Sequence, residues 1–294
     1  MITHLFYHQE SVEEQCAINS WMSIRNSIKA EDEVIILDLG GTLTKLLPLT
    51  IKPKFLRYEI IRTDLAEERS YTFGLNLIIP SAKNEWICLW RSDYIYNKKY
   101  FSAVQKGMQE GNVILPYEAF IGGEYCKAKW CKNKLSWLIN SDEKSLIKHS
   151  HVCPIYEITD FAHFAIKKTL WMRLSGMNEK LWGYGWQFPE FFDRLKNEKD
   201  YHPSIQFDMV AFHQNHIGSF GLGKLDQSKK QELEQAELKL IEVLGSIEAV
   251  EKFKNNINQK PLRARYDERY YKVTPNIIVR FKSFVKKICT YKKS

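Results

Sequence analysis

Three segments carry side chains whose types and spacing suit chemistry on a charged, sugar-like ligand. Arg91-Ser92-Asp93 follows an apolar run over 86–90. An aspartate at a strand end can hold a divalent cation that bridges a diphosphate; the plainer reading is a loop aspartate. Trp182-Gly183-Tyr184-Gly185-Trp186 alternates rings with glycines. Glycine lets backbone and rings come close to a flat ligand, and the rings offer stacking faces for a sugar; the plainer reading is an aromatic loop packed on the core. Glu190 and Asp193 follow at the start of a helical run. A carboxylate there either deprotonates a hydroxyl or simply favours the helix dipole. The third segment, His213-Gln214-Asn215-His216, comes after the apolar residues 209–212. A neutral imidazole at a strand end is a common metal ligand, and the spacing leaves both His213 and His216 as candidates.

These residues need a scaffold that gathers strand ends. Residues 2–8 read as a short strand, and Ser11 with Glu14 forms a capping-box pattern before a helix over 12–28. Glu33–Leu39 is a near-continuous apolar run followed by Gly40-Gly41, the pattern of a strand buried on both faces. Residues 56–62 and 86–90 read as further strands, 69–79 and 98–110 as helices. Such alternation predicts an α/β, mostly parallel sheet flanked by helices. His8, Asp38 and Asp93 would then meet at the carboxyl edge, where open α/β sheets bind ligands. A Lys/Glu-rich helical region over 225–256, with Gly245 as its break, forms a C-terminal extension. The expected division is a domain over 1–222 and a helical extension over 223–294.

Composition bounds the rest. The chain has 294 residues, 44% hydrophobic and 27% charged, which excludes global disorder. No stretch reaches about 18 apolar residues, and the N-terminus turns acidic too soon for a signal peptide, so a cytoplasmic protein is expected. Cys126, Cys131, His149, His151 and Cys153 have zinc-ligand chemistry, but their spacing is wide and lacks a Cys-x2-Cys pair; free thiols are expected. The formal charge is +8, and residues 270–294 hold seven Lys or Arg and no acid. No basic stripe therefore crosses the body, which argues against a nucleic-acid partner. Ile277, Phe281, Phe284, Val285 and Ile288 recur at helical steps among those cations, and residues 277–293 read as an amphipathic helix suited to an anionic membrane surface. That would place the protein peripherally on the inner face of the cell membrane; the alternative is a helix docked on its own domain.

Taken in order, these motifs resemble those of GT-A glycosyltransferases. Residues 176–195, from Gly176 through Trp182-Gly183-Tyr184-Gly185 to Arg194-Leu195, are similar to the carboxy-terminal catalytic motif of β-1,4-galactosyltransferases and polypeptide N-acetylgalactosaminyltransferases. Arg91-Ser92-Asp93 falls where such enzymes carry Asp-x-Asp or Asp-x-His. Val210-Ala211-Phe212-His213-Gln214 is similar to the metal-binding histidine segment of bacterial chondroitin-polymerase-like enzymes. The resemblance covers roughly residues 1–220. It implies a hexosyl- or N-acetylhexosaminyltransferase that moves a sugar from a nucleotide diphosphate, expected to be UDP, to a glycan or lipid-linked acceptor in polysaccharide biosynthesis, with inversion. His8, Asp38, Arg69, Asn76, Arg91, Ser92 and Asp93 would bind the donor. Asp93 and His213 (or His216) would hold Mn2+ or Mg2+. Trp182, Gly183, Tyr184 and Trp186 would lie beside the sugars, and Glu190 would be the catalytic base.

The departures are specific. Arg91 replaces the first aspartate of the metal motif, which suggests direct contact with a phosphate. Gln187-Phe188 stands where a Glu-Asp pair is expected, and Gln187 cannot act as a base. A protein that binds nucleotide-sugar or glycan without transfer is therefore the alternative reading.

Overall fold

The computed structural model describes residues 1–43, 55–61, 70–122, 126–147, 152–155, 163–182, 186–214 and 227–258. Strands β1 (Ile2–Gln9), β2 (Glu33–Leu39), β3 (Phe55–Ile61) and β4 (Trp86–Arg91) pair in the order β3-β2-β1-β4, all parallel. β2 is buried along its whole length and β1 along all but its last residue, so both read as apolar runs without alternation. Their side chains still point alternately to two faces. Leu5, Ile35 and Leu37 enter one core with Leu75, Trp171 and Phe191. Phe6, Val34 and Ile36 enter the other with Trp21, Trp90 and Tyr100.

Helices cover both faces. α1 (Glu14–Ile24) and α3 (Tyr100–Glu110) supply Trp21 and Tyr100 to the second core. α2 (Tyr71–Ile78) lies on the first, and Gly74 lets it close on β2: a Cβ there would meet the Leu39 and Leu37 methyls. Ser70 caps α2 by accepting from the Phe73 N–H. The expected capping box of α1 does not form. The helix starts at Glu14 with no side-chain cap bond, because β1 runs on to Gln9 and the Val12 N–H closes a turn onto the Gln9 carbonyl.

Beyond β4 the pairing changes direction. β8 (Ala165–Lys167) runs antiparallel between β4 and β6 (Val113–Gly122). β6 pairs in parallel with β9 (Pro203–His213), and β5 (Tyr94–Tyr96) closes antiparallel onto β9. β7 (Val152–Ile155) pairs with β6. Short helices α4 (Ala128–Asn133), α5 (Leu135–Asn140) and α6 (Glu143–Ile147) follow β6, and α7 (Lys168–Arg173) follows β8. α8 (Gln187–Lys196) packs Phe188, Phe191, Phe192 and Leu195 into the first core.

The chain forms two compact units, Met1–Gly245 and Ser246–Ser294. α9 (Gln227–Leu244) belongs to the first and α10 (Ile247–Asn258) to the second. Gly245 ends α9 at φ +88°, a conformation that glycine adopts without strain. The boundary expected after residue 222 and the basic tail 270–294 lie outside the described residues. Among the described residues no helix is long and apolar enough to cross a membrane.

Candidate active site

The site grows from the register of β1 with its neighbours. His8 pairs with Asp38 on β2, and Tyr7 pairs with Arg91 on β4. Three strand ends thus meet at one edge. The His8 ring, fully buried, bridges the β2 loop and the β4 turn: Nδ1 is 2.9 Å from Ser92 Oγ, and Nε2 is 3.0 Å from Thr42 Oγ1. The Ser92 N–H donates to the Tyr7 carbonyl and keeps the turn against β1.

Arg91 and Asp93 form a fork-to-fork pair across this turn. Arg91 Nε donates to Asp93 Oδ1 at 2.9 Å, and Nη2 donates to Oδ2 at 2.6 Å. The Arg91 guanidinium also lies 5.3 Å from the centre of the Tyr94 ring. Its backbone is fixed as well: the N–H donates to Tyr96 Oη, and the carbonyl accepts from Ser20 Oγ. The pairing of Tyr94 with His213 delivers the expected histidine, whose Nε2 is 3.3 Å from Asp93 Oδ2. Gln214 locks this arrangement. Its N–H donates to the Asp93 carbonyl, its Nε2 to the Cys16 carbonyl, and its Oε1 accepts from Asn19.

His163, outside the sequence motifs, packs on Tyr94, the ring that also meets Arg91 and His213. The two ring centres are 4.4 Å apart and tilted by 44°, and neither His163 nitrogen has a hydrogen-bond partner among the described residues. Burial, then the charge of Arg91, push its pKa down to about 3, so it is neutral.

The donor set does not fit a divalent cation. Such ions take about six oxygen ligands at short range. Both Asp93 oxygens already carry the Arg91 guanidinium, and among the described residues no group of three or more His, Cys, Asp or Glu can hold a metal. Of the residues with zinc-ligand chemistry, Cys126 and Cys131 are buried, and His149 and His151 lie outside the described residues.

Other expected donor residues have different employment. Asp38 accepts from the backbone N–H groups of Gly41, Thr42 and Leu43 and from Tyr58 Oη at 2.6 Å. It therefore orders the loop after β2. Asn76 clamps the segment after Gly176: its Nδ2 donates to the Met177 carbonyl and its Oδ1 accepts from the Met177 N–H. Gly176 has φ +70°, and a Cβ there would run into the Asn76 amide. Arg69 lies outside the described residues.

The expected base is also committed. Glu190 receives Arg194 Nε at 2.6 Å on one oxygen and Nη2 at 3.0 Å on the other. Arg194 additionally donates to the carbonyls of Leu174 and Gly176. The Glu190–Arg194 pair thus ties α8 to the turn after α7. Trp182 and Trp186 come together with Leu181, Gln187, Ala236 and Lys239 around one small hollow. Lys239 of α9 sits on Trp182, its Nζ 3.1 Å from the ring centre and 2.9 Å from the carbonyl. Gly183, Tyr184 and His216 lie outside the described residues.

No known family profile matches this sequence, and no curated protein does. Solved structures do match in shape. GalNAc-T7, crystallised with UDP, GalNAc and Mn2+, superimposes with a TM-score of 0.53 at 11% identity, over 94% of this chain. The fold is GT-A. S. aureus TarS matches with a TM-score of 0.47 at 15% identity over 84% of this chain, and its fragment in complex with UDP-GlcNAc with 0.44 at 13% over 82%. This GT-A chain spans 57% of GalNAc-T7, 40% of TarS and 67% of that fragment.

Proposed function

We propose that the chain is a glycosyltransferase that takes its sugar from a nucleotide diphosphate, with UDP as the nucleotide. The observation that carries this reading is the meeting of His8, Ser92, Arg91, Asp93 and His213 at the carboxyl edge of a GT-A sheet. The UDP and GalNAc bound by GalNAc-T7 support a UDP-N-acetylhexosamine as donor. Trp182 and Trp186, both half-buried, are the rings against which the acceptor, a glycan or lipid-linked sugar, would stack.

In this reading Arg91 faces the diphosphate, and its charge offsets the negative charge that gathers as the sugar leaves. Asp93 orients the guanidinium. His8 holds the Ser92 and Thr42 hydroxyls at the same edge, and the one that accepts from the ring N–H keeps its proton to donate to a phosphate oxygen. The extension over 223–294, with its basic stretch 277–293, would keep the enzyme at an anionic membrane surface near its acceptor.

The test is UDP release from a panel of UDP-sugars with purified chain. At least one UDP-sugar should turn over, and Arg91→Met paired with Asp93→Asn should slow it tenfold or more. The commitment of Glu190 to Arg194 favours a second reading, a protein that binds the nucleotide-sugar without transferring it. Nucleotide binding without turnover of any donor would decide for that reading.

A further inference from the structure

We infer that Arg91 takes the place of the divalent cation: the site binds the diphosphate of its nucleotide through the Arg91 guanidinium, propped by Asp93, without metal. This inference rests on the nucleotide-sugar reading and adds what meets the phosphates.

The charges argue for it. A lone carboxylate attracts a cation, whereas Asp93 already holds one, on both oxygens, in bidentate geometry. The His213 imidazole, rather than a second carboxylate, lies 3.3 Å from its Oδ2. A divalent ion arriving here would meet a neutral pair and would have to displace Arg91 from a strong, charge-assisted contact. Exposure gives the direction of approach. The Arg91 side chain is 21% accessible and that of Asp93 only 2%. An incoming anion therefore reaches the guanidinium first, with the carboxylate behind it.

Rigidity argues for it too. A guanidinium that replaces a metal must already be aimed. Arg91 is held by Asp93, by the Tyr96 and Ser20 hydroxyls on its backbone, and by the face of Tyr94. The planar fork matches phosphate geometry in a way that a lysine would not. Beside His8 stand the Ser92 and Thr42 hydroxyls rather than further carboxylates, and the one that accepts from the ring N–H adds a neutral donor.

The experiment is calorimetric titration of the full chain with UDP in EDTA and again in Mn2+, with uridine as the ligand that lacks the diphosphate. UDP should bind with the same Kd, within twofold, in both buffers. The Mn2+ electron-spin-resonance signal should show no more ion taken up by protein plus UDP than by UDP alone. Arg91→Met alone would leave a buried carboxylate unpaired, so the variant is Arg91→Met with Asp93→Asn, checked by circular dichroism. It should lose at least tenfold in UDP affinity and less than twofold in uridine affinity. A tenfold or greater gain in wild-type UDP affinity on adding Mn2+ would overturn the inference and leave the nucleotide site standing, as would a folded double variant that binds UDP like wild type. If the double variant does not fold, the metal comparison on wild type decides alone. If UDP, GDP and CDP all fail to bind in either buffer, the nucleotide-sugar reading falls and this inference with it.

Discussion

Glu190 and Arg194 form a bidentate pair one helical turn apart on α8, and the same guanidinium reaches back to the carbonyls of Leu174 and Gly176. Arg194 thereby joins the two ends of the motif that spans 176–195. Both oxygens of the buried Glu190 carboxylate accept from this one guanidinium. Glu190→Gln and Arg194→Met should therefore act first on stability. Losing one side of a partly buried charged pair costs about 1–3 kcal/mol, which for a domain of this size is a melting-temperature drop of roughly 2–10 °C. Thermal unfolding of both variants and the double variant checks this. The double should lose less than the sum of the singles. A Glu190→Gln protein with unchanged melting temperature and abolished turnover would restore Glu190 as the base.

Gly176 and Asn76 make a second clamp. Gly176 holds a left-handed φ, and the Asn76 amide occupies the space where a Cβ would stand. Gly176→Ala meets both obstacles and should cost about 1–3 kcal/mol in urea unfolding. Asn76→Ala relieves the clash but drops both bonds to Met177. In the Asn76→Ala background, Gly176→Ala should therefore cost less than it does alone. Equal costs in the two backgrounds would mean that the backbone angle alone, and not Asn76, sets the need for glycine.

The parallel half of the fold was legible in the sequence because β1, β2 and β4 are apolar runs whose burial on both faces suppresses alternation. Their polar ends, His8, Ser92 and Asp93, were legible for the same reason. The antiparallel half was not. β5 and β8 are three residues each, too short for a period, and are held by strands about 50 to 120 residues away. The partners of Asp38 depend on a loop that doubles back through Gly40 and Gly41, both at positive φ. Asn76 meets Met177 only through the packing of α2 against a distant turn. The Glu190–Arg194 pair, by contrast, is legible in its i, i+4 spacing. Trp21, Trp90, Trp171, Tyr94 and Tyr96 are fully buried core.

Lys239 covers one face of Trp182. A contact of that kind contributes about 0.5–1 kcal/mol at a partly exposed site. Lys239→Met should lower stability by that order and shift the indole fluorescence, since the ring loses an adjacent charge. Where Trp182 stacks a sugar on this same face, the acceptor KM should fall in Lys239→Met with kcat little changed. An unchanged KM would put the sugar elsewhere in the Trp182–Trp186 cleft.

The buried histidines give the protein a defined response to acid. His163 is encased by Tyr94, Tyr96 and Tyr100, with its pKa pushed down to about 3 by burial and then by Arg91, against the opposing pull of Asp93. Burial lowers His4 as well, partly offset by Asp32. In the unfolded chain each ring takes a proton near the ordinary value of about 6.5. The unfolded state therefore binds more protons below that pH, and stability falls on acidification. Above about pH 6.5 both states are neutral at these rings and no penalty exists. Between there and about pH 3, His163 alone costs about 1.4 kcal/mol per pH unit at full slope. His163→Phe removes the proton-linked term and two buried ring nitrogens that have no hydrogen-bond partner among the described residues. Urea unfolding at pH 7.5, 6.5, 5.5 and 4.5 should show a shallower fall for this variant, by about one proton, and a gain over wild type that grows as the pH drops. A slope identical to that of wild type would mean that His163 is already protonated in the folded protein and that its charge is shared with Asp93.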